Sequence, residues 1–126
     1  MASILKVDKI GKTSGSTQDT MEGLCKHWIL LNGTGTIAVT DSFNNTSITD
    51  NGTGDYTITI ANDMSTANFC VATGGAYDED GTTANNRQGP GASNKTTTAF
   101  KLTTGSNTTA ADDWEAPAAQ TLGDLA

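Results

Sequence analysis

Apolar and polar residues alternate in short runs along most of this chain. The run DYTITI places Tyr56, Ile58 and Ile60 on one side of an extended backbone and two threonines on the other. The run TIAVT likewise places Ile37 and Val39 on one side. Because successive side chains of a strand point to opposite faces, a period of two indicates β-strands with one buried face. No stretch has a comparably clear helical period, so the sequence predicts an all-β protein.

Three further apolar runs, KHWILL, ANFCVAT and AFKLT, also predict strands. Their inward-facing residues are predicted to be Trp28, Leu30, Phe69, Val71, Phe100 and Leu102. In the first run the same period turns His27 away from the tryptophan, which predicts an exposed histidine on the outer face. A single histidine with no partner nearby in the sequence does not indicate general acid–base chemistry.

The tetrapeptide NGTG occurs twice, at residues 32–35 and 51–54, each time between two predicted strands. Asparagine and glycine tolerate the positive φ angles that tight hairpin turns need. A phosphate-binding glycine loop would lead into a helix, whereas a strand follows here. The two copies therefore predict two successive β-hairpin turns, not a nucleotide site or a duplicated ligand loop.

The two ends of the chain and one central stretch are less regular. Residues 1–24 hold a short apolar run and then a Gly/Ser/Thr-rich stretch, which predicts an N-terminal arm and linker. Residues 25–126 are predicted to form an antiparallel β-sandwich or a jelly-roll-like domain. Within this domain, residues 74–95 are predicted to form a long loop. The segment after Ala110 suits either a last strand or a short helix, and Pro117 interrupts it.

The composition indicates a thin core and an acidic surface. Only 35% of the 126 residues are hydrophobic, against a usual fraction of about 45–50%. Such a chain suits sheets with one solvated face, or a protomer that completes its core by oligomerising. The formal net charge of -7 argues against nucleic-acid and anionic-membrane partners. The N-terminus lacks the apolar region of a signal peptide and no run approaches a membrane span, so synthesis in the cytoplasm is expected.

No catalytic, metal-binding or cofactor-binding residues are predicted. Cys25 and Cys70 each lie in a short apolar run and are expected to be buried free thiols, with a disulfide left open. One histidine and no CxxC pattern give no zinc site. The acidic stretches at residues 50–55 and 77–81 lack the full set of alternating oxygen ligands of a calcium loop.

The remaining candidates for contact with a ligand or partner lie outside the predicted strands. Tyr77 and Trp114 fall outside the clean strands, and they are the only aromatic residues expected to be exposed. A sugar-binding surface would need such exposed aromatic rings. Asp112 and Asp113 stand directly before the tryptophan and are expected to form a surface turn.

Several segments between Lys26 and Phe69 form one long motif. They are Trp28 in its strand, NGTGT at 32–36, DSFN at 41–44, SITDNGTGDYT at 47–57 and MSTANF at 64–69. This motif resembles a module of bacteriophage virion proteins, especially those of marine and cyanobacterial phages. The head of the chain, SILKVDKI, is similar to the start of such proteins.

The resemblance implies a non-enzymatic virion component that forms a homotrimer. A chain with room for one arm and one domain favours a capsid decoration (cement) protein or a short head fibre. In that hypothesis residues 2–23 attach the protein to the major capsid protein or another virion protein, and the β-domain projects outward. The alternatives are a tail fibre or tail-associated receptor-binding subunit, and a carbohydrate-binding module that recognises host surface glycans.

Overall fold

The structure, a computed structural model, describes residues 10–11, 18–19, 24–76, 89–105 and 110–126. The strands are β1 (Ile10–Gly11), β2 (Gln18–Asp19), β3 (Cys25–Asn32), β4 (Ala38–Phe43), β5 (Asn45–Gly52), β6 (Asp55–Ile60), β7 (Cys70–Ala76), β8 (Gly91–Ser93), β9 (Ala99–Thr103) and β10 (Ala116–Leu122). These described residues contain no helix. The prediction of an all-β protein is therefore confirmed.

Strands β3 to β10 form two four-stranded antiparallel sheets. The order is β4-β3-β10-β7 in one sheet, called here the Trp28 sheet, and β5-β6-β9-β8 in the other, the Tyr56 sheet. Hairpins join β3 to β4, β5 to β6 and β8 to β9. The last strand, β10, lies between β3 and β7. This arrangement is consistent with a β-sandwich.

The hydrophobic core lies between the two sheets. The Trp28 sheet contributes Ile29, Leu31 and Ala119, the Tyr56 sheet contributes Tyr56, Ile58, Ile60, Phe100 and Leu102, and the connection between β6 and β7 contributes Met64 and Phe69. Partly buried Ile37, Ile48 and Val71 pack against this set. The predicted inward positions on β6 and β9, and those of Phe69, Val71 and Ile37, are therefore confirmed. Val39 pairs with the buried Leu31 and so lies on the predicted inward face, but its position on the edge strand β4 leaves it 38% exposed.

Strand β3 turns the opposite face to the core from the predicted one. His27, Ile29 and Leu31 are buried, with exposed fractions of 0%, 1% and 0%. Trp28 and Leu30 lie half-buried on the outer face. Each alternating set of this strand contains large apolar residues, so a period of two fits either orientation. Packing against the Tyr56 sheet decides that the face with His27, Ile29 and Leu31 turns inward. The local sequence pattern holds no information about that packing.

The C-terminal segment forms a strand, which resolves the alternative left open by the sequence. Pro117 lies within β10 and is paired with Gly75 of β7, whereas pairing of β10 with β3 begins only at Ala118. The backbones approach so closely here that a Cβ on Gly75 would collide with the carbonyl oxygen of Ala116. Gly75 also has a φ of 126°, a conformation that side chains other than glycine's rarely allow. A glycine is therefore needed opposite this proline.

The predicted long loop at residues 74–95 is shorter than expected at both ends. Strand β7 continues to Ala76 and β8 occupies Gly91–Ser93, so the loop prediction is wrong for these positions. Pairing with β10 and β9 recruits glycine- and alanine-rich stretches that have weak strand propensity of their own. Residues 77–88 lie outside the described part of the chain.

The N-terminal arm falls mostly outside the described residues. The structure describes β1 and β2, which pair antiparallel with Ile10 opposite Asp19. The second of these strands lies in the stretch predicted as a linker, where no strand was expected. The extended arm itself stays a prediction.

Asn44 forms the corner at which the chain leaves the Trp28 sheet and enters the Tyr56 sheet. Its φ is 58°, and asparagine is one of the few residues that tolerate this left-handed conformation. Its side-chain amide donates to the carbonyl oxygen of Lys26 at 2.8 Å. Its side-chain oxygen accepts from the backbone N–H of Asn62 at 2.8 Å. The corner residue is thus bonded to the backbone beside both sheets.

Candidate functional site: a polar cluster between the two NGTG turns

Both NGTG segments form hairpin turns, as the sequence predicted. In the first turn, Asn32 Oδ1 accepts hydrogen bonds from the Thr34 backbone N–H at 3.1 Å and from its hydroxyl at 3.0 Å. Gly35 then has a φ of 66°. In the second turn, Gly52 and Gly54 have φ values of 126° and 62°. The asparagine side chains and glycine backbones therefore form the turns themselves.

A carboxylate from the far end of the chain joins the two turns. Asp113 Oδ1 accepts a hydrogen bond from the Gly54 backbone N–H at 2.7 Å and one from the Tyr56 hydroxyl at 2.8 Å. The same hydroxyl lies 3.3 Å from the carbonyl oxygen of Gly33 in the first turn. We call Gly33, Gly54, Tyr56, Thr104 and Asp113 the turn cluster. It connects the first hairpin, the second hairpin and the segment before β10.

Two glycines make this close approach possible. A Cβ on Gly33 would lie 2.8 Å from the Tyr56 hydroxyl oxygen, and the Gly33 N–H donates to the Trp114 carbonyl oxygen at 3.0 Å. A Cβ on Gly54 would collide with the Thr104 carbonyl oxygen, and the Thr104 N–H donates to the Gly54 carbonyl oxygen at 2.9 Å. These glycines therefore serve backbone packing as well as turn formation.

The chemistry of the cluster is that of a permanent hydrogen-bond donor on a fixed acceptor. Burial of the Tyr56 ring, followed by the bond to the Asp113 carboxylate, raises the pKa of the phenol well above its usual range. The hydroxyl therefore stays protonated at physiological pH and continues to donate. The bond from this hydroxyl to the Asp113 carboxylate joins the second hairpin to the segment before β10.

His27 is buried, which corrects the prediction that it is exposed. Its Nε2 lies 3.4 Å from Asn45 Oδ1, and its ring meets the Phe100 ring edge-on with centroids 5.6 Å apart. Nδ1 is buried without a hydrogen-bond partner. Burial lowers the pKa of this imidazole, and the bond to Asn45 opposes that effect in part. Burial therefore favours the neutral imidazole at neutral pH, and a hydrogen bond from Nε2 to the Asn45 oxygen requires the tautomer that is protonated at Nε2.

The two cysteines are free thiols, as predicted, but they are not both buried. Cys70 is exposed and Cys25 is half-buried, with its thiol donating to the His27 carbonyl oxygen at 3.0 Å. Leu122 of β10 pairs with both cysteines, one on each side. Two strand spacings, about 10 Å, therefore separate them, whereas a disulfide needs Cα atoms about 4.4–6.8 Å apart. The disulfide left open by the sequence does not form within one chain.

The acidic residues around the second NGTG turn have partners in the protein. Asp50 Oδ1 accepts from the Gly52 backbone N–H at 2.9 Å. Asp55 Oδ2 binds Lys101 Nζ at 2.6 Å, and this hydrogen bond lowers the pKa of the carboxyl group. Within the ranges that the structure describes, no three metal-ligating side chains come together. The other acidic stretch, at residues 77–81, lies outside those ranges.

Trp114 and Asp113 are placed differently from what the sequence predicted. Trp114 is only 4% exposed, so it is not a surface contact. Asp113 is half-buried in the turn cluster and does not form a surface turn. The expected exposure of Tyr77 falls on a residue outside the described part. The sequence contained one signal of the cluster, a tyrosine directly after NGTGD, but its partner lies 57 residues further on.

The chain matches no protein-family model, and it matches neither a curated protein nor a solved structure. Where its residues are described, no helix has the length and apolar character needed to cross a membrane.

Proposed function

We propose that this protein is a non-enzymatic structural component of a bacteriophage virion, a capsid decoration (cement) protein or a short head fibre. It would attach to the major capsid protein or to another virion protein, and its β-domain would face outward. The proposal rests on the resemblance of residues 26–69 to virion modules of marine and cyanobacterial phages.

The observation that best supports the proposal is where the motif residues lie. NGTG at 32–35 and 51–54 forms two turns, DSFN ends at the corner residue Asn44, and the tyrosine of NGTGDYT anchors the turn cluster. The motif therefore encodes turns, a corner and a core. A long motif of that kind is expected where the framework is the shared property, as in a structural protein, more than where a reaction is shared.

The arm and the trimer belong to the same proposal. Residues 2–23 would attach the chain to the virion, and three copies would combine at a three-fold position of the capsid. The acidic charge of -7 suits a basic surface on the virion as the partner. It also keeps a protein with much exposed polar surface soluble.

The experiment compares binding of the purified chain to isolated capsids and to isolated tails of the phage that encodes it. Binding to capsids alone is expected, and it should disappear when residues 2–23 are deleted while the thermal unfolding transition of the domain is retained. Binding to tails alone would overturn the capsid placement. Attachment that survives the deletion would overturn the role of the arm.

A host-glycan role is weakened by one observation of the structure. Of the two aromatic residues expected at an exposed sugar-binding surface, Trp114 is buried, and its backbone carbonyl oxygen accepts a hydrogen bond from Gly33 of the first NGTG turn. A glycan-array screen tests what remains of this alternative. Binding that is lost on Tyr77→Ala would favour the receptor-binding class over the decoration class.

A further inference from the structure

We propose that the outer face of the Trp28 sheet is a self-association surface, in which Phe43 of one copy enters a depression on the same face of a second copy. This surface consists of residues of one sheet and is independent of the virion role proposed above.

The face carries large apolar side chains that the core does not use. Across the sheet, one row of paired positions is Phe43, Trp28, Gln120 and Ala72, and the next is Asp41, Leu30, Ala118 and Gly74. Phe43 is 55% exposed, and Trp28 and Leu30 are half-buried. An exposed cluster of this kind is typical of a protein–protein interface.

The shape of the face is that of a projection beside a hollow. A shallow depression of about 400 Å³ lies over β3, β10 and β7, with Trp28 and Leu30 along one side. Strands β10 and β7 contribute the small residues Ala72, Gly74 and Ala118, and the exposed polar side chain of Gln120 also borders the depression. Phe43 projects from the edge strand β4, two strand spacings from β10. This places the ring about 10 Å from the middle of the depression.

Phe43 and the depression lie in the same row of the sheet, so Phe43 of one copy can occupy the depression of another copy. A two-fold axis along the strand direction above β3 would put each Phe43 over the depression of its partner. A ring in which each copy fills the next also leaves no projection unfilled, and a ring of three would supply the trimer proposed above. In either arrangement, the Phe43 side chain of each copy buries apolar surface that is otherwise in contact with water.

The charge distribution identifies a second copy as the occupant. The four strands of the Trp28 sheet contain one lysine, Lys26, and one aspartate, Asp41. Their formal charge is therefore zero, although the whole chain carries -7. Two copies of an acidic chain repel each other over most surfaces, but not over this one. A basic partner would instead favour an acidic face, which this sheet does not provide.

The first test measures the mass of the full chain by sedimentation over a wide concentration range. The wild-type chain is expected to self-associate. Phe43→Ser removes the projection, and Ala72→Glu places a charge in the hollow. Each should weaken association by about 30-fold or more, as for the loss of a central interface contact. The matched control is Thr49→Glu, which puts the same charge on the exposed outer side of β5 and should leave the mass unchanged.

A second test does not depend on destabilising variants. The photoreactive residue benzoylphenylalanine at position 43 should cross-link to a second copy within residues 72–74 or 118–120. A wild-type chain that remains monomeric at high concentration would overturn the proposal. Cross-links that map elsewhere would also overturn it, and so would association that is unaffected in folded Phe43→Ser and Ala72→Glu. Capsid binding is measured separately, so a failure of the virion role is distinguishable from a failure of this contact.

Discussion

Asp113→Ala tests whether the turn cluster holds the two hairpins together. The substitution removes the acceptor of two hydrogen bonds, from the Gly54 N–H at 2.7 Å and from the Tyr56 hydroxyl at 2.8 Å. A hydrogen bond to a charged group contributes about 1.5–3 kcal/mol. Because the carboxylate is only half-buried, the lower value applies to each bond, and we expect a total loss of about 3 kcal/mol. For a domain of this size the melting temperature should fall by roughly 10 °C.

Two companion variants separate the contributions to this loss. Tyr56→Phe keeps the buried ring and removes one donor, so it should cost about 1.5 kcal/mol. Asp113→Asn keeps one side-chain oxygen as an acceptor but removes the charge, and it should cost less than the alanine variant. Urea denaturation gives the free energies of unfolding, and amide hydrogen exchange at Gly54 gives a local readout.

The double-mutant cycle provides the decisive comparison for the turn cluster. If the two side chains act through their mutual bond, Tyr56→Phe should cost about 1 kcal/mol less in the Asp113→Ala background than in the wild type. Equal costs in both backgrounds would refute the coupling. A loss below about 0.5 kcal/mol for Asp113→Ala would refute the role of the carboxylate altogether, since surface substitutions commonly have effects of that size.

Three other predictions concern the fold. Asn44→Ala should destabilise the protein by about 2–4 kcal/mol, since it loses the corner hydrogen bonds and must hold a left-handed φ. Asn44→Gly loses the same bonds but tolerates this φ, so urea denaturation should show a smaller loss. Equal losses for the two variants would contradict a contribution from the φ angle. Gly75→Ala should lower the free energy of unfolding by more than about 3 kcal/mol, because the added Cβ meets backbone atoms. The Cβ of Gly74→Ala meets nothing within 4 Å, so the free energy of unfolding of this variant should lie within about 0.5 kcal/mol of the wild-type value. The lowered pKa of His27 means that the unfolded chain binds the proton more tightly. The histidine should therefore contribute its full stabilisation above the ordinary histidine pKa of about 6.5, and this contribution should decline as pH falls toward the lower pKa of the folded chain. In denaturation curves at successive pH values, His27→Gln should not show this decline in the free energy of unfolding. An unchanged pH dependence in the variant would mean that other groups cause the decline.

The sequence predicted strand faces correctly where only one alternating set was apolar. On β6 the other set consists of an aspartate and two threonines, so Tyr56 and its neighbours had a single possible orientation. On β3 both sets contain large apolar residues, and the predicted face was wrong. A signal was nevertheless present: Lys26 and Asn32 belong to the same set as Trp28. A set that ends in a lysine and an asparagine is better suited to the outer face.

The candidate site could be predicted only in its local part. The turns followed from asparagine and glycine in NGTG, because their φ preferences act within a few residues. The contact with Asp113 joins positions 57 residues apart, and its formation depends on the insertion of β10 between β3 and β7. Strand order is set by non-local packing, which alternation along the chain does not record. The same limit applied to Pro117, whose place opposite Gly75 emerges only from the pairing of two distant strands.

The difference between the two outer faces changes how the low apolar content should be interpreted. On the Tyr56 sheet the outer positions of β6 and β9 carry threonines, Asp55 and Lys101, as expected for a solvated face. On the Trp28 sheet, Trp28, Leu30 and Phe43 lie outside the core although the chain has few large apolar residues. A chain with so little apolar surface gains stability by burying it. Its placement on a sheet whose strands have no net charge is why we propose this face, and not the face of the Tyr56 sheet, for contact between copies of the chain.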